Sequence, residues 1–218
     1  MNRRHLNRIL VAGGIAPALM MAGPLALAQS PAPVEGRDYK RLEPPLPAAA
    51  PAAGKIEVLE FFSYACPHCS AFEPTLQAWA QRLPADVILR RVPVPFLFNA
   101  ENFQRTYYTL ETLGLVDAMQ SKIFTAIHAD RQRLEKPEEI AALVAKNGGD
   151  AAKFLATFKS FSVVTAQMRA KKLTSDYKIE SVPTLVIQGR YVTSPADAGS
   201  AERSLAVVDA LIARARKG

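Results

Sequence analysis

The sequence predicts an α/β fold, a mixed β-sheet domain into which an all-helical domain is inserted. Two observations support this prediction. Strand patterns stand on either side of the middle of the chain, at 56–62 and 87–94 and again at 184–193. Between them, from about residue 99 to residue 172, apolar residues recur at helical spacing. A chain that leaves a sheet for one helical block and then returns to strands predicts such an insertion.

The N-terminal region has the pattern of a secretory signal peptide. Three arginines and no acid precede an apolar stretch at 9–27, and Ala26, Leu27 and Ala28 form a small-residue cleavage site. The stretch approaches the roughly 20 residues that span a membrane, so an uncleaved anchor is the alternative. Glycines and prolines interrupt the stretch, and we expect cleavage after Ala28.

Residues 29–54 are rich in proline and alanine. This composition favours extended, semi-rigid backbone. We expect a leader to the fold, with one short edge strand around Asp38 to Leu42.

The first half of the sheet domain follows the leader. The nearly unbroken apolar run from Ile56 to Phe62 predicts a central strand covered on both faces. A helix is predicted from Cys66 to Arg82, with apolar residues at helical spacing and a kink at Pro74. A second strand is predicted from Val87 to Val94.

The middle block is predicted to be helical throughout. Pro137 with two acids marks one helix start, Asn147 with two glycines marks its end, and Asp150 can cap the next helix. The predicted helices are Glu101 to Leu113, Leu115 to His128, Pro137 to Lys146, one after Asp150, and Ser162 to Thr174.

The C-terminal part returns to strands. Thr184 to Ile187 and Tyr191 to Thr193, joined by a three-residue turn, predict a hairpin, and an amphipathic helix from Ser200 to Ala215 follows. The predicted organisation is a signal peptide at 1–28, a leader at 29–54, a sheet domain at 55–95 and 173–218, and a helical domain at 96–172.

Charge argues against a nucleic-acid-binding protein. The formal net charge is +7, and removal of residues 1–28 takes away three of these charges and leaves +4. The remaining basic residues are scattered among acids. This balance is ordinary for solubility, and we expect no nucleic-acid partner.

The two cysteines of the chain, Cys66 and Cys69, lie three positions apart. A disulfide across so short a loop stabilises a fold very little. A structural zinc site usually needs four ligands, and beyond the N-terminal region only His68 and His128 accompany the cysteines. We therefore expect redox chemistry in an oxidising compartment such as the periplasm, with no metal and no cofactor.

A strand, a short loop and a CxxC sequence at the start of a helix form the thioredoxin-type redox arrangement. The positive end of the helix and its unpaired amides favour a thiolate at the first cysteine, so Cys66 is the expected reactive thiol. His68 can donate a hydrogen bond to that thiolate from its ring or its amide. Pro67 fixes the backbone between the cysteines.

The chain closely resembles the DsbA family of thioredoxin-fold oxidants from bacterial envelopes. The matching sequences are Val-Leu-Glu-Phe-Phe-Ser at 58–63, Cys-Pro-His-Cys at 66–69 and Ser-Val-Pro-Thr at 181–184. The resemblance implies a thioredoxin fold and a redox-active Cys66–Cys69 disulfide. It also implies that Cys66 forms a mixed disulfide with the substrate and that Cys69 resolves it.

The resemblance implies two further features of the site. The Val182–Pro183 bond is expected to be cis and to face Cys66, which leaves backbone groups of Val182 free to pair with an extended substrate. Glu60, a carboxylate in an apolar strand, has two interpretations. It pairs with Arg90 or Arg91 on the neighbouring strand, or it also moves a proton to or from Cys69.

Residues near the motif bear on client preference. Phe96, Leu97 and Phe98 are candidates for an apolar surface beside the cysteines. Core packing is the preferred interpretation for all three.

The predicted function is a periplasmic thiol:disulfide oxidoreductase that donates its disulfide to reduced, unfolded exported proteins. The resemblance implies reoxidation by a membrane partner of the DsbB type, and we expect a monomer. A reductase or isomerase on the same fold is the alternative, although the leader is too short and too rich in proline for a dimerisation domain. A non-catalytic peptide-binding module is the other candidate.

Overall fold

The structure, a computed structural model, describes residues 31–47 and 54–217 of the 218-residue chain. The predicted signal peptide and part of the leader lie outside these residues. Within them the strands are β1 (Lys40–Arg41), β2 (Ile56–Phe62), β3 (Val87–Pro93), β4 (Thr184–Ile187) and β5 (Tyr191–Thr193). The helices are α1 (Pro67–Ala80), α2 (Ala100–Leu113), α3 (Val116–His128), α4 (Pro137–Lys146), α5 (Ala151–Phe158), α6 (Phe161–Asp176), α7 (Pro195–Ala198) and α8 (Ala201–Ala215).

The five strands form one mixed sheet in the order β1-β5-β4-β2-β3. β2 lies parallel to β3 and antiparallel to β4, and β5 is antiparallel to both β4 and β1. Because α2 to α6 come between β3 and β4 in the chain, the mixed sheet and the inserted helices are confirmed. The domain boundary at residue 172 stays a prediction, since α6 continues to Asp176.

β2 is buried along its whole length because both faces of the sheet are covered. On one face Val58 packs with Leu76 and Trp79 of α1 and with the apolar side of α8. On the other face Leu59 and Phe61 pack with residues of the inserted helices. Adjacent strand residues face opposite sides, so a nearly unbroken apolar run is what two covered faces require.

Helix ends in the insertion follow their sequence signals. Pro137 occupies the first turn of α4, and the Asp150 carboxylate accepts a hydrogen bond from the Lys153 amide at 2.9 Å at the start of α5. Both were predicted, because proline and aspartate suit helix starts. The four-residue helix α7 was not predicted, since it is too short to show an amphipathic pattern.

The described part of the leader contributes to the sheet domain. Its strand β1 is shorter than predicted, and beyond it the Leu46 amide donates to the Gly189 carbonyl at 2.9 Å. Gly189 has a φ of 62°, and a Cβ there would lie 2.0 Å from the Leu46 oxygen. Only glycine fits, because the leader backbone passes directly over this turn.

Candidate active site

Cys66 lies at the N-terminal boundary of α1. It is the N-cap residue, with extended backbone angles (φ −89°, ψ 117°), and Pro67 occupies the first helical turn. The Cys69 amide donates to the Cys66 sulfur at 3.4 Å. The sulfur therefore takes the place that a serine or aspartate oxygen takes at other helix starts, and amides that would be unpaired point at it.

These surroundings favour the thiolate of Cys66. The Cys69 thiol donates to it, the amides of Cys69 and His68 add further hydrogen bonds, and the His68 charge acts in the same direction. Burial opposes them, but together they lower the pKa of Cys66 to about 6. A hydrogen bond to the charged form of an acid always acts in this sense.

Cys69 has the opposite character. Both cysteines are free thiols in the structure, but Cys66 is 6% exposed and Cys69 is 1% exposed. Burial raises the pKa of Cys69 well above its ordinary value, and its hydrogen bond and proximity to Cys66 raise it further. The site therefore pairs a sulfur that favours the thiolate, at Cys66, with a more deeply buried thiol that keeps its proton, at Cys69.

The loop before β4 comes back to the cysteines. The Val182–Pro183 bond is cis, which the resemblance implies. The Cys66 thiol lies 3.5 Å from the Val182 carbonyl oxygen, to which it donates. Pro183 is buried and Val182 is half-buried. The structure thus brings Val182 to the Cys66 sulfur, although 116 residues separate them.

Glu60 lies in a buried cluster of charges below the cysteines. Its Oε2 is 3.1 Å from a guanidinium nitrogen of Arg91, its direct neighbour on β3. Arg91 also binds Glu73 of α1 through two hydrogen bonds of 2.5 and 3.0 Å. Arg90 instead pairs with Glu57, at 3.4 Å. The pairing of Glu60 is thus confirmed, with Arg91 as the partner.

One arginine cannot keep both carboxylates of this cluster at their ordinary acidity. Burial raises the pKa of Glu60 to about 7. The charge of Arg91 opposes this rise, and the charge of Glu73 adds to it. Burial also raises the pKa of Glu73. The charge of Glu60 in turn contributes to the raised pKa of Cys69. The cluster places a carboxyl group that titrates near neutrality within electrostatic reach of the buried thiol.

Four residues of this region were not identified from sequence as parts of the site. Glu73 follows Cys69 by four positions and precedes Leu76 by three, so helical spacing could have placed it on the buried face. Tyr64, Gln120 and His128 had no comparable signal, because the insertion brings them together. The Tyr64 hydroxyl donates to Gln120 Oε1 at 2.5 Å. His128 Nε2 donates to the Tyr64 carbonyl at 2.8 Å.

The packing expected for the apolar segment after β3 is wrong for two of its three residues. Leu97 packs partly buried against the core, but Phe96 is 42% exposed and Phe98 is 64% exposed. Consecutive side chains of an irregular connection cannot all face one core. The rings of Phe96 and Phe98 are therefore exposed to solvent on the segment that joins the sheet to the insertion.

The described residues form neither a metal-binding cluster nor a membrane-spanning helix. In 31–47 and 54–217, no group of three or more His, Cys, Asp or Glu side chains could hold a metal ion. Over the same ranges, no helix has the length and apolar character needed to cross a membrane.

A family model and several known proteins are similar to this chain. A family model described as "DSBA-like thioredoxin domain" matches residues 57–203. The "Thiol:disulfide interchange protein DsbA" of Bordetella parapertussis is 41% identical over 218 residues, covering 100% of both chains. The protein of that name from Pseudomonas aeruginosa is 40% identical over 183 residues, which is 83% of this chain and 85% of that protein.

Solved structures agree with these sequence matches. The crystal structure of Pseudomonas aeruginosa DsbA has a TM-score of 0.80 at 40% identity and covers 84% of this chain and 95% of that one. DsbA from Xylella fastidiosa has a TM-score of 0.78 at 34% identity and covers 85% and 99%. With the thioredoxin-like fold and the CxxC pair at a helix start, these matches show that the chain is a disulfide oxidoreductase and belongs to the DsbA family of thioredoxin-domain proteins.

Proposed function

We propose that the protein is a periplasmic oxidant that donates its Cys66–Cys69 disulfide to reduced, folding exported proteins. The observation that carries this proposal is the contrast between the two sulfurs, a stabilised thiolate at Cys66 and a buried thiol at Cys69. A thiolate that is stable when reduced is a good leaving group, and it makes the corresponding disulfide easy to reduce.

The proposed reaction proceeds in two exchanges. A client thiolate attacks Cys66 Sγ, the Cys66–Cys69 bond breaks, and Cys69 leaves as a thiolate that takes up a proton. A second client thiolate then attacks the client sulfur of the mixed disulfide, and Cys66 leaves as a thiolate. The client gains one disulfide and loses two electrons, which the protein holds as two reduced sulfurs.

Val182 and Glu60 are proposed to assist at these two sulfurs. The backbone of Val182, next to Cys66, would pair with an extended client with little regard to its sequence. Glu60 would give a proton to Cys69 when the disulfide opens and take it back in the reverse step. Its pKa of about 7 suits this exchange, since an acid–base group works best near the operating pH.

The cellular setting is part of the proposal. Export by the N-terminal signal would deliver a monomer to the periplasm, where disulfides persist. A membrane protein of the DsbB type would accept the two electrons and restore the Cys66–Cys69 bond.

The equilibrium between oxidised and reduced protein in glutathione buffers tests the direction of the reaction. Alkylation of free thiols followed by mass measurement gives the oxidised fraction at each buffer ratio. The reduction potential of thioredoxin is about −270 mV. We expect a far more oxidising potential for this protein. A thioredoxin-like potential would contradict the donor proposal in favour of a reductase. Cys66→Ser separates catalysis from binding, because a peptide-binding module would keep its affinity without the sulfur.

A further inference from the structure

The outward side of α6 carries an exposed apolar stripe. Phe161 is 85% exposed and Met168 is 65% exposed. Seven residues make about two helical turns, so both side chains lie on the same side of α6, about 10.5 Å apart along its axis. The half-buried Val164 lies between them on that side. The opposite side of α6 packs on the core through Val163, Gln167, Ala170 and Thr174.

Positive charge is concentrated around this stripe. Residues 151–178, which span α5 and α6, contain six basic residues and one acid, a net charge of +5. The chain beyond residue 28 has a net charge of +4, so its remainder is nearly neutral, at −1. The scatter of basic residues among acids that the sequence indicated therefore does not extend to this segment. Its basic residues are all exposed, namely Lys153, Lys159, Arg169, Lys171, Lys172 and Lys178.

Most of these cations have no partner of opposite charge. Within 31–47 and 54–217, Lys172 pairs with Asp176 at 2.7 Å, and no ion pair involves the other five. Positive charge that the chain itself leaves unneutralised attracts external anions. Five of the six cations are lysines. A lysine is a mobile point charge, which suits a diffuse array of phosphates, whereas arginine is preferred for fixed pairing with a carboxylate.

The shape of the stripe also bears on its partner. Neighbouring elements do not rise beside Phe161 and Met168, because most of the surface of both side chains is accessible. The stripe is therefore a ridge and not a groove. A short peptide segment is usually held in a groove or along a strand edge. A ridge of apolar side chains flanked by lysines instead fits the interfacial layer of a bilayer, where the rings enter the headgroup region and the ammonium groups meet phosphates.

We propose that this surface, called here the α6 face and formed by Lys159, Phe161, Val164, Met168 and Lys171, docks on the anionic surface of a phospholipid bilayer. Its few apolar side chains give weak, reversible attachment, since stable anchoring needs more buried apolar area. The α6 face contains no residue of the redox site, so docking is independent of the direction of disulfide exchange. A protein held at a membrane would meet a reoxidant embedded there at a higher effective concentration.

Sedimentation with sucrose-loaded vesicles tests this proposal. The protein is purified after export, and its mass must show that residues 1–28 are absent, because the apolar stretch at 9–27 would itself bind lipid. The vesicles are phosphatidylcholine with either about 40% phosphatidylglycerol or none, and we expect about tenfold or stronger partitioning into the anionic ones. Raising the salt from about 0.05 M to about 0.5 M should abolish most of this difference, because screening shortens the reach of the lysines.

Variants of the α6 face separate its two contributions. Phe161→Ser should weaken partitioning into anionic vesicles about fivefold, because the ring no longer enters the interface. Lys159→Gln combined with Lys171→Gln should weaken it about tenfold or more, since each lysine near an anionic surface adds to binding. These side chains are exposed, so the variants keep the packing of α6.

Matched controls lie elsewhere on the chain. Phe98→Ser removes another exposed ring, and Lys40→Gln combined with Lys122→Gln removes two other exposed charges. Both should leave partitioning unchanged. Equal partitioning into the two kinds of vesicle would overturn the proposal, as would controls that weaken binding as much as the α6-face variants do. Absence of binding to anionic vesicles would also overturn it, and the surface would then suit an acidic protein.

Discussion

Two buried glutamates of β2 lie beside arginines of β3, and the two groups differ in depth. Glu57 pairs with Arg90, whose side chain is 45% exposed, whereas Glu60 shares Arg91, only 11% exposed, with Glu73. Water screens the first pair. In the second group, one cation faces two carboxylates, and the pKa of Glu60 rises to about 7. A glutamate of β2 beside an arginine of β3 thus has two outcomes. Near the surface, Glu57 forms an ordinary ion pair, whereas below the cysteines Glu60 becomes a carboxyl group that titrates near neutrality.

Removing each arginine is the strongest test of this difference. Arg91→Met leaves two buried carboxylates without a cation, and we expect the free energy of unfolding to fall by about 3–5 kcal/mol. Arg90→Met should cost less than about 1 kcal/mol, because that pair is partly screened. Urea unfolding of the reduced proteins measures both. Similar losses would mean that depth does not separate the two groups.

Glu60→Gln tests the proton role of the deeper group. In the protein trapped as a mixed disulfide between Cys66 and glutathione, attack by Cys69 requires loss of its proton. We expect a rate that rises with pH with an inflexion near 7, and in Glu60→Gln a rate about tenfold or more lower without that inflexion. Glu57→Gln, the control on the same strand, should keep it. An unchanged profile in Glu60→Gln would leave Glu60 with pairing alone.

The same variant has a stability signature whose sign is fixed by linkage. The raised pKa of Glu60 lets the folded protein hold a proton that the unfolded chain has lost between about pH 4.3 and pH 7. This contribution to stability is present below that window and is lost as pH rises through it. Glu60→Gln should therefore gain stability relative to the parent across the window, by up to about 3 kcal/mol.

Glu73→Gln gives the smallest expected effect. The charge of Glu73 raises the pKa of Glu60, so its removal should move the inflexion of the Cys69 rate to lower pH. The same profile of rate against pH measures it. A shift of the inflexion to higher pH would contradict this expectation. It would mean that Glu73 mainly positions Arg91 beside Glu60, and that this effect outweighs the repulsion between the two carboxylates.

The sequence predicts the sheet well because its signals are local. The bounds of β2, β4 and β5 agree with the apolar runs, since strands covered on both faces need such runs. Cys66 at a helix start is local in the same sense. Pairing of Glu60 was foreseen, but Glu73 was missed because its role depends on how α1 packs against β3.

The features that the sequence did not predict depend on how the helical insertion is placed. His128 reaches the Tyr64 carbonyl from 64 residues away, and Phe98 stands in solvent only because of the path between β3 and α2. Neither position has a distinctive spacing. Such contacts depend on how the sheet domain and the helical insertion pack against each other. The periodicity of apolar residues within one helix or strand does not encode that arrangement.

The edge position of β1 also sets an order of events during synthesis. This two-residue strand pairs with β5, about 150 residues later in the chain. A ribosome delivers β1 long before its partner, so the outer edge of the sheet stays open until the last hairpin emerges. Contacts of such long range form slowly. Until β1 pairs with it, the free edge of β5 can associate with another chain, so the few residues that close this edge also protect the newly made protein against aggregation.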